Sequence, residues 1–217
     1  MSTIESLPMS LSRYNETTVS LPYVKPVRLG QITRPDDNAE CIAELKCDGF
    51  RAQAYIENGN ATLVSKKRHV YRQFGELCNE LAVLPVQNAI MDGEVVSIDE
   101  LGRPQFYELL KRRGTFVYYA FDLIYLNGRD LRASTLLARK ALLKKTLSTL
   151  PEARIRYMQH VEGSGASLLF SVICGQDLEG IVVKPKNSTY VDKKWLKVKN
   201  PKYSLEAARR GLFNTDH

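Results

Sequence analysis

The sequence predicts an α+β domain built mainly on antiparallel sheets. Two observations carry that expectation. Short β-prone runs are joined by turn signals such as Asp48-Gly49 and Asn58-Gly59-Asn60. Helical stretches interrupt these runs without the regular strand–helix–strand alternation of a doubly wound fold. The 217 residues suffice for one large domain or two small ones with a sizeable core.

Residues 1–40 are polar and broken by Pro8, Pro22, Pro26 and Pro35, which marks a loop-rich lead-in packed on the core. Strands are expected at 41–46 and 51–57, on either side of a Cys-Asp-Gly turn, with 61–65 as the hairpin partner of the second. Further strands are expected at 89–98, 116–125, 154–160, 180–184 and 195–199. Residues 73–84 place Phe74, Leu77, Cys78 and Leu81 at three- and four-residue spacing, one apolar helical stripe. Shorter helices fit 106–112 and 166–174. Residues 136–150 read as an amphipathic helix whose Arg139, Lys140, Lys144 and Lys145 form a solvated basic face. No internal repeat or low-complexity tract is present.

Composition narrows the class only slightly. Hydrophobic content of 44% with 25% charged residues is ordinary for a globular protein. Thirty-one basic against 24 acidic side chains, a formal +7, suits a polyanionic partner, although a merely basic protein has the same balance. Cys41, Cys47, Cys78 and Cys174 form no C-x-x-C pair and have no histidine at zinc-ligand spacing, so they read as reduced thiols of a cytosolic protein. No apolar run fits a signal peptide or a membrane span. The expectation is a soluble, cytoplasmic protein without a membrane partner.

The chemistry concentrates in five segments. In Glu44-Leu45-Lys46-Cys47-Asp48-Gly49-Phe50-Arg51 a lysine ends a strand just before a turn, held on a rigid element. To act as a nucleophile its amine must lose a proton, and Arg51 supplies a fixed cation nearby. Alone, this pattern also describes a surface lysine beside a hairpin turn. Met91-Asp92-Gly93-Glu94-Val95-Val96 sets Asp92 and Glu94 on one face of an apolar strand. Phe121 lies in the aromatic strand FVYYAFDLIYLNG, available to stack on a flat base. Glu179 and Lys184 bracket the apolar run of EGIVVK. In WLKVK, Lys197 and Lys199 share a face opposite Val198, and inward lysines on a strand call for a strong anion such as polyphosphate. In a regular strand Glu179 and Lys184, five apart, face opposite sides, so Gly180 is expected to bend the chain and re-aim Glu179.

These five motifs, KCDGFR, DGEVV, FDLIYLNG, EGIVVK and WLKVK, stand in the order found in the covalent nucleotidyltransferase superfamily of ATP-dependent ligases and mRNA-capping enzymes. They run from Glu44 to Lys199. The wording around Phe121 is most similar to the ligase modules of bacterial end-joining DNA ligases, enzymes of DNA repair and recombination. The resemblance implies a nucleotidyltransferase core (ATP-grasp-like) of two mainly antiparallel sheets flanked by helices, with 41–200 as the adenylation domain and 201–217 as a C-terminal helix and tail. It implies that Lys46 attacks the α-phosphate of ATP to form lysyl-AMP, that Glu44 reads the adenine amino group, and that Phe121 stacks on the ring. Arg51 and Glu94 would contact the ribose or phosphate end, and Glu94 and Glu179 would position Mg2+. Lys184, Lys197 and Lys199 would surround the α-phosphate, stabilise charge in the transition state and, with the metal, hold Lys46 neutral. AMP would then pass to the 5′-phosphate of nicked duplex DNA, and the 3′-hydroxyl would seal the strand. Lys66, Lys67 and Arg68 would grip the DNA backbone, and ordinary solvated surface explains these three residues equally well.

The chain departs from the family in two places. Residues 200–217, with Arg209 and Arg210 in an expected terminal helix, cannot supply the OB-fold domain that follows the last motif in full ligases. The expectation is a stand-alone adenylyltransferase domain, with another repair protein supplying the missing function. In Ser65-Lys66-Lys67-Arg68-His69, Lys66 stands where relatives have arginine, and Arg68 where they have glycine. His69, His160 and His217 lack companions for metal binding or a triad. Two other readings fit the same residues: a nucleotide- or DNA-end-binding module that needs a partner in trans for turnover, and a nucleotidyltransferase acting on RNA.

Overall fold

The computed structural model describes residues 21–151, 154–192 and 194–205. Two sheets face each other. The first has the order β1-β11-β10-β2-β9, from β1 (Gly30–Ile32), β2 (Cys41–Leu45), β9 (His160–Glu162), β10 (Gly180–Pro185) and β11 (Leu196–Lys199). The second runs β4-β3-β5-β6-β7, with β3 (Phe50–Glu57), β4 (Asn60–Ser65), β5 (Asn88–Ile98), β6 (Thr115–Leu126) and β7 (Arg129–Asp130), while β8 (Ile155–Tyr157) also pairs with β6. Only β1 with β11 and β6 with β8 pair in parallel among the described strands. The β3–β4 hairpin closes through Asn58 and Gly59, both at positive φ, as the two-residue turn signal requires.

Alternation sorts the side chains into layers. One face of β2 and β10 (Cys41, Ala43, Ile181, Val183) packs under α4 (Ala166–Gly175). The outer face of the second sheet (Ala52, Ala54, Met91, Tyr118, Ala120) is covered by α1 (Gly75–Ala82), α2 (Phe106–Leu110) and the C-terminal turns of α3 (Leu136–Leu147). Between the sheets lie Ile42, Ile90, Ile124, Val182, Tyr190 and Trp195, joined by Val24 and Val27 from the lead-in. No helix among the described residues is long and apolar enough to cross a membrane.

Four local expectations are corrected. The single strand at 154–160 is two: β8 lies in the second sheet and β9 in the first, so the chain crosses between sheets at Met158 and Gln159. The lead-in includes β1, and β7 is a further strand too short for pattern reading. The helix at 73–84 begins with a 3-10 turn over Arg72–Phe74, with Phe74, Leu77 and Leu81 buried as the stripe predicts. The basic face of α3 is only half solvated: Lys144 and Lys145 are exposed, but Arg139 and Lys140 are fully buried. Leu136, Arg139, Lys140, Leu143 and Leu147 follow the three- and four-residue spacing of a core-facing stripe, so the helix turns both cations inward. Of the expected C-terminal helix, Arg209, Arg210 and the rest of 206–217 lie outside the described residues, as do Pro8 and His217.

The buried Arg139–Asp122 pair is held by five hydrogen bonds. Arg139 Nε and Nη2 donate to Asp122 Oδ1 and Oδ2 at 2.8 and 2.9 Å, and Nη1 donates to the carbonyls of Ser134 (2.6 Å) and Ser188 (3.2 Å). Leu123 N–H adds a fifth link by donating to Asp122 Oδ1. Burial pushes the Asp122 carboxyl up and Arg139 opposes that shift, so the pair stands or falls together. Replacing Arg139 with Met leaves Asp122 buried and unpaired, and is expected to lower unfolding free energy by about 3–5 kcal/mol in denaturant titration. A loss under about 1 kcal/mol would show that Asp122 finds another partner.

Candidate active site

The facing sheets leave a cleft of about 440 Å³, lined by Glu44, Lys46, Arg51, Glu94, Phe121, Lys184 and Trp195 with smaller apolar neighbours. Register explains why the first sheet contributes the charged residues it does. Val182 lies opposite both Glu44 and Lys197, Ile42 opposite Lys184, and Gly180 opposite Lys199. Lys46 continues the ladder past β2, its N–H donating to the Gly180 carbonyl at 2.8 Å. All these residues share the face turned to the cleft, whereas Leu45 and Ile181 turn away.

Lys46 Nζ donates to Glu179 at 2.7 Å, with the lysine about one-fifth exposed. Glu179 reaches it because the chain bends at Gly180, where φ is +146°. A Cβ there would lie 2.1 Å from the Val198 carbonyl oxygen, so no other residue fits without moving β11. The expected glycine bend is therefore present. Burial pushes the Glu179 carboxyl up while Lys46 opposes that shift. Glu94 is pushed up to about 8, chiefly by burial, with Lys46 and Arg51 opposing and Glu179 adding repulsion. Among the described residues Glu94 has no ion-pair partner. The Cys47 thiol is buried beside these carboxylates and pushed above its usual range by burial and then by Glu94.

Arg51 does not extend freely into the cleft. Its Nε and Nη2 donate to Asp92 at 3.1 and 2.7 Å and its Nη1 to the Val27 carbonyl at 2.5 Å, while Tyr190 Oη donates to the same Asp92 at 2.5 Å. Burial opposes the guanidinium charge, but Asp92 outweighs it and holds Arg51 above the usual arginine range. What Arg51 offers the cleft is its charge over Phe121 and Trp195, 5.5 and 5.9 Å from the ring centroids. Those rings meet edge to face at 5.9 Å. Lys184 Nζ sits 4.0 Å from the Trp195 centroid and 4.6 Å from that of Phe121.

At the inner end Glu44 is clamped between two ammonium groups. Lys184 Nζ is 2.5 Å from Oε2, and Lys140 Nζ contacts Oε1. Burial opposes the Glu44 charge, yet Lys184 and Lys140 together hold its carboxyl below the usual range. Lys184 is depressed, first by burial and then by Lys140, against the pull of Glu44. Lys140 was expected in solvent. Its place four residues after Leu136 and three before Leu143 is the sequence signal that marks it. Asp92 was anticipated on the Glu94 face, but nothing local marks Tyr190 as its partner.

Lys197 and Lys199 share the sheet face with Lys46 and are partly exposed, but they do not line the cleft. Lys46 pairs with Glu179, on which Lys199 also acts, while Lys184 pairs with Glu44. Lys66, Lys67 and Arg68 lie exposed in the turn after β4. Arg68 adopts φ +67°, the conformation that suits a glycine, and its guanidinium lies 4.6 Å from the Tyr23 ring centroid.

Comparison with known proteins agrees with this geometry. Residues 28–199 match the family model described as ATP dependent DNA ligase domain. The chain is 33% identical over 180 residues to the multifunctional non-homologous end joining protein LigD of Pseudomonas aeruginosa, covering 79% of this chain and 21% of that protein. It is 30% identical over 193 residues to the SPbeta prophage-derived DNA ligase-like protein LigB of Bacillus subtilis, covering 84% of this chain and 69% of that one. The ligase domain of M. tuberculosis LigD superposes with a TM-score of 0.66 at 25% identity, over 80% of this chain and 60% of that one. The chain thus spans about a fifth of the first of these relatives and about two thirds of the second. The motifs that stand in family order in the sequence meet at one cleft in the fold, and the chain belongs to the ATP-dependent DNA ligase domain family.

Proposed function

We propose that this chain performs the nucleotide-capture step of an ATP-dependent DNA ligase, with Lys46 as the nucleophile. The observation that supports it most is the position of Lys46. Its Nζ stands at the partly open part of a cleft whose inner end offers two aromatic rings and a buried carboxylate–lysine pair. The base of ATP would rest against Phe121, with its edge toward Glu44 and Lys184 and its α-phosphate toward Lys46. After losing a proton, Lys46 Nζ attacks the α-phosphorus, forming a P–N bond as the P–O bond to pyrophosphate breaks. A 5′-phosphate oxygen at a DNA nick then attacks the same phosphorus and Lys46 leaves. The 3′-hydroxyl finally displaces AMP and joins the strands. Arg51, fixed by Asp92, lends charge to the phosphate end, and Lys197 and Lys199 approach from the rim. Lys66, Lys67 and Arg68 form an exposed basic turn suited to a DNA backbone.

The residues present fit a hard divalent cation. Glu94 and Glu179 are oxygen donors pushed up by burial, and Glu94 has no cation of its own. Mg2+ keeps waters and takes phosphate oxygens, so two carboxylates beside a nucleotide suit it. When bound, it supplies positive charge to the phosphates.

Incubation with α-labelled ATP and Mg2+ is expected to leave label covalently on the wild type and none on Lys46→Ala. The label should be lost when nicked duplex DNA is added. If folded wild type binds ATP but stays unlabelled, capture is not autonomous, and the domain needs a partner in trans. Nicks differing only at the 2′-hydroxyl read the strand preference. Mg2+ alone, at about ten times its dissociation constant, should stabilise the wild type by about 1.4 kcal/mol in thermal unfolding. Glu94→Gln and Glu179→Gln should each lose that gain, and a gain retained in both removes these carboxylates as ligands.

A further inference from the structure

The buried cluster behind the cleft holds one more cation than acid. Glu44, Lys140 and Lys184 are each no more than 2% exposed. Lys184 lines the cleft, whereas Lys140 enters from α3 behind it and is not among the lining residues. Lys140 Nζ donates to Glu44 Oε1 and to the Met158 carbonyl at 3.2 Å, with the Tyr157 ring centroid 4.5 Å away. Its position is thereby fixed by an acid from one segment and by a carbonyl and a ring from another. Lys184 is fixed less fully. Beyond its ion pair with Glu44, its ammonium has no hydrogen-bond acceptor among the described residues.

This arrangement gives the inner end of the cleft a polarity. An ionised carboxylate accepts hydrogen bonds and donates none, and an ammonium donates and accepts none. With Lys140 on one oxygen and Lys184 on the other, Glu44 stays ionised, and its remaining lone pairs serve as acceptors. Lys184 adds an unsatisfied donor beside them. A base edge that offers an exocyclic amine next to an unprotonated ring nitrogen matches this pair, as adenine does. Guanine offers a carbonyl oxygen next to a ring N–H, the reverse order. Placing it here would set acceptor against acceptor and donor against donor at two groups that are each only 2% exposed.

We propose that Lys140 is a positioning residue for nucleotide selection, fixing Glu44 as an acceptor beside Lys184 so that the cleft takes ATP and rejects GTP. The proposal rests on the nucleotide-binding reading above and adds to it a residue that touches no substrate. Sites built from buried, oriented hydrogen-bonding groups reject mismatched ligands by about 10⁴-fold or more, so a large discrimination is available to lose.

The test uses the one tryptophan of the chain, Trp195, which lies in the cleft wall and reports occupancy by its fluorescence. ATP and GTP are titrated separately into wild type and Lys140→Met, with folding checked by circular dichroism. The ATP-to-GTP affinity ratio is expected to fall at least fivefold in the variant. A merely structural role would lower the melting temperature or the active fraction, but both nucleotides sample the same folded population and the ratio would stay. If Lys140→Met does not fold, Lys140→Gln keeps a donor for Glu44 without the charge, and the same fall is expected. A fall of less than fivefold in the folded variant overturns the role of Lys140 while leaving the ligase reading standing. Wild type that binds neither nucleotide overturns that reading and this inference with it.

Discussion

The space between the two sheets is lined by apolar side chains, and it holds charges. Everything functional in this protein depends on how those charges are matched. Glu44 is set between Lys140 and Lys184, Arg51 is locked to Asp92, Arg139 to Asp122, and Lys46 to Glu179. An unpaired charge in such a layer would expel itself or lose its proton, so each residue brought in for chemistry needs a partner brought in for support. The partners come from far along the chain. Lys140 meets Glu44 across 96 residues, and Lys46 meets Glu179 across 133. The ion pairs are therefore also the ties that hold β2, α3, β10 and the second sheet in one arrangement.

Matching also grades the residues of the cleft by freedom. Arg51 is fixed on both sides of its guanidinium and has little room to move, so it contributes a fixed field rather than a flexible grip. Lys46 is tied by one acid and partly exposed, which leaves its nitrogen able to change partners. Glu94 has no ion-pair partner among the described residues, and burial pushes its carboxyl up against the pull of Lys46 and Arg51. A reactive site needs both kinds: groups that stay where they are, and one or two whose protonation or partner is still to be decided.

The apolar layers make this possible. Ala43, Ile181, Val183 and Val198 fill one side of the first sheet, and the second sheet is backed by Phe74, Leu77, Leu81, Leu143 and Leu147. With both outer faces covered, the strands cannot twist away from the cleft without opening a core. At Gly180 the backbone departs from the ladder to serve the site. It does so where a side chain would collide with β11.

Much was determined by the sequence alone. Short β-prone runs between turn signals located β2 to β6, β10 and β11, the Asn58–Gly59 signal gave the hairpin, and the offset between Glu179 and Lys184 required a bend at Gly180. The five motifs pointed to Lys46, Glu44, Glu94, Phe121 and Lys184, and all five line one cleft. These features are legible because they are local: each follows from a spacing of two to five residues. The tertiary structure alone decided the rest. It split 154–160 between two sheets, drew Arg139 and Lys140 inward, gave Arg51 to Asp92 and Tyr190, and left Lys197 and Lys199 at the rim. Those outcomes turn on which charges meet across the buried layer, and a charge has no signature in the sequence of the partner it will find a hundred residues away.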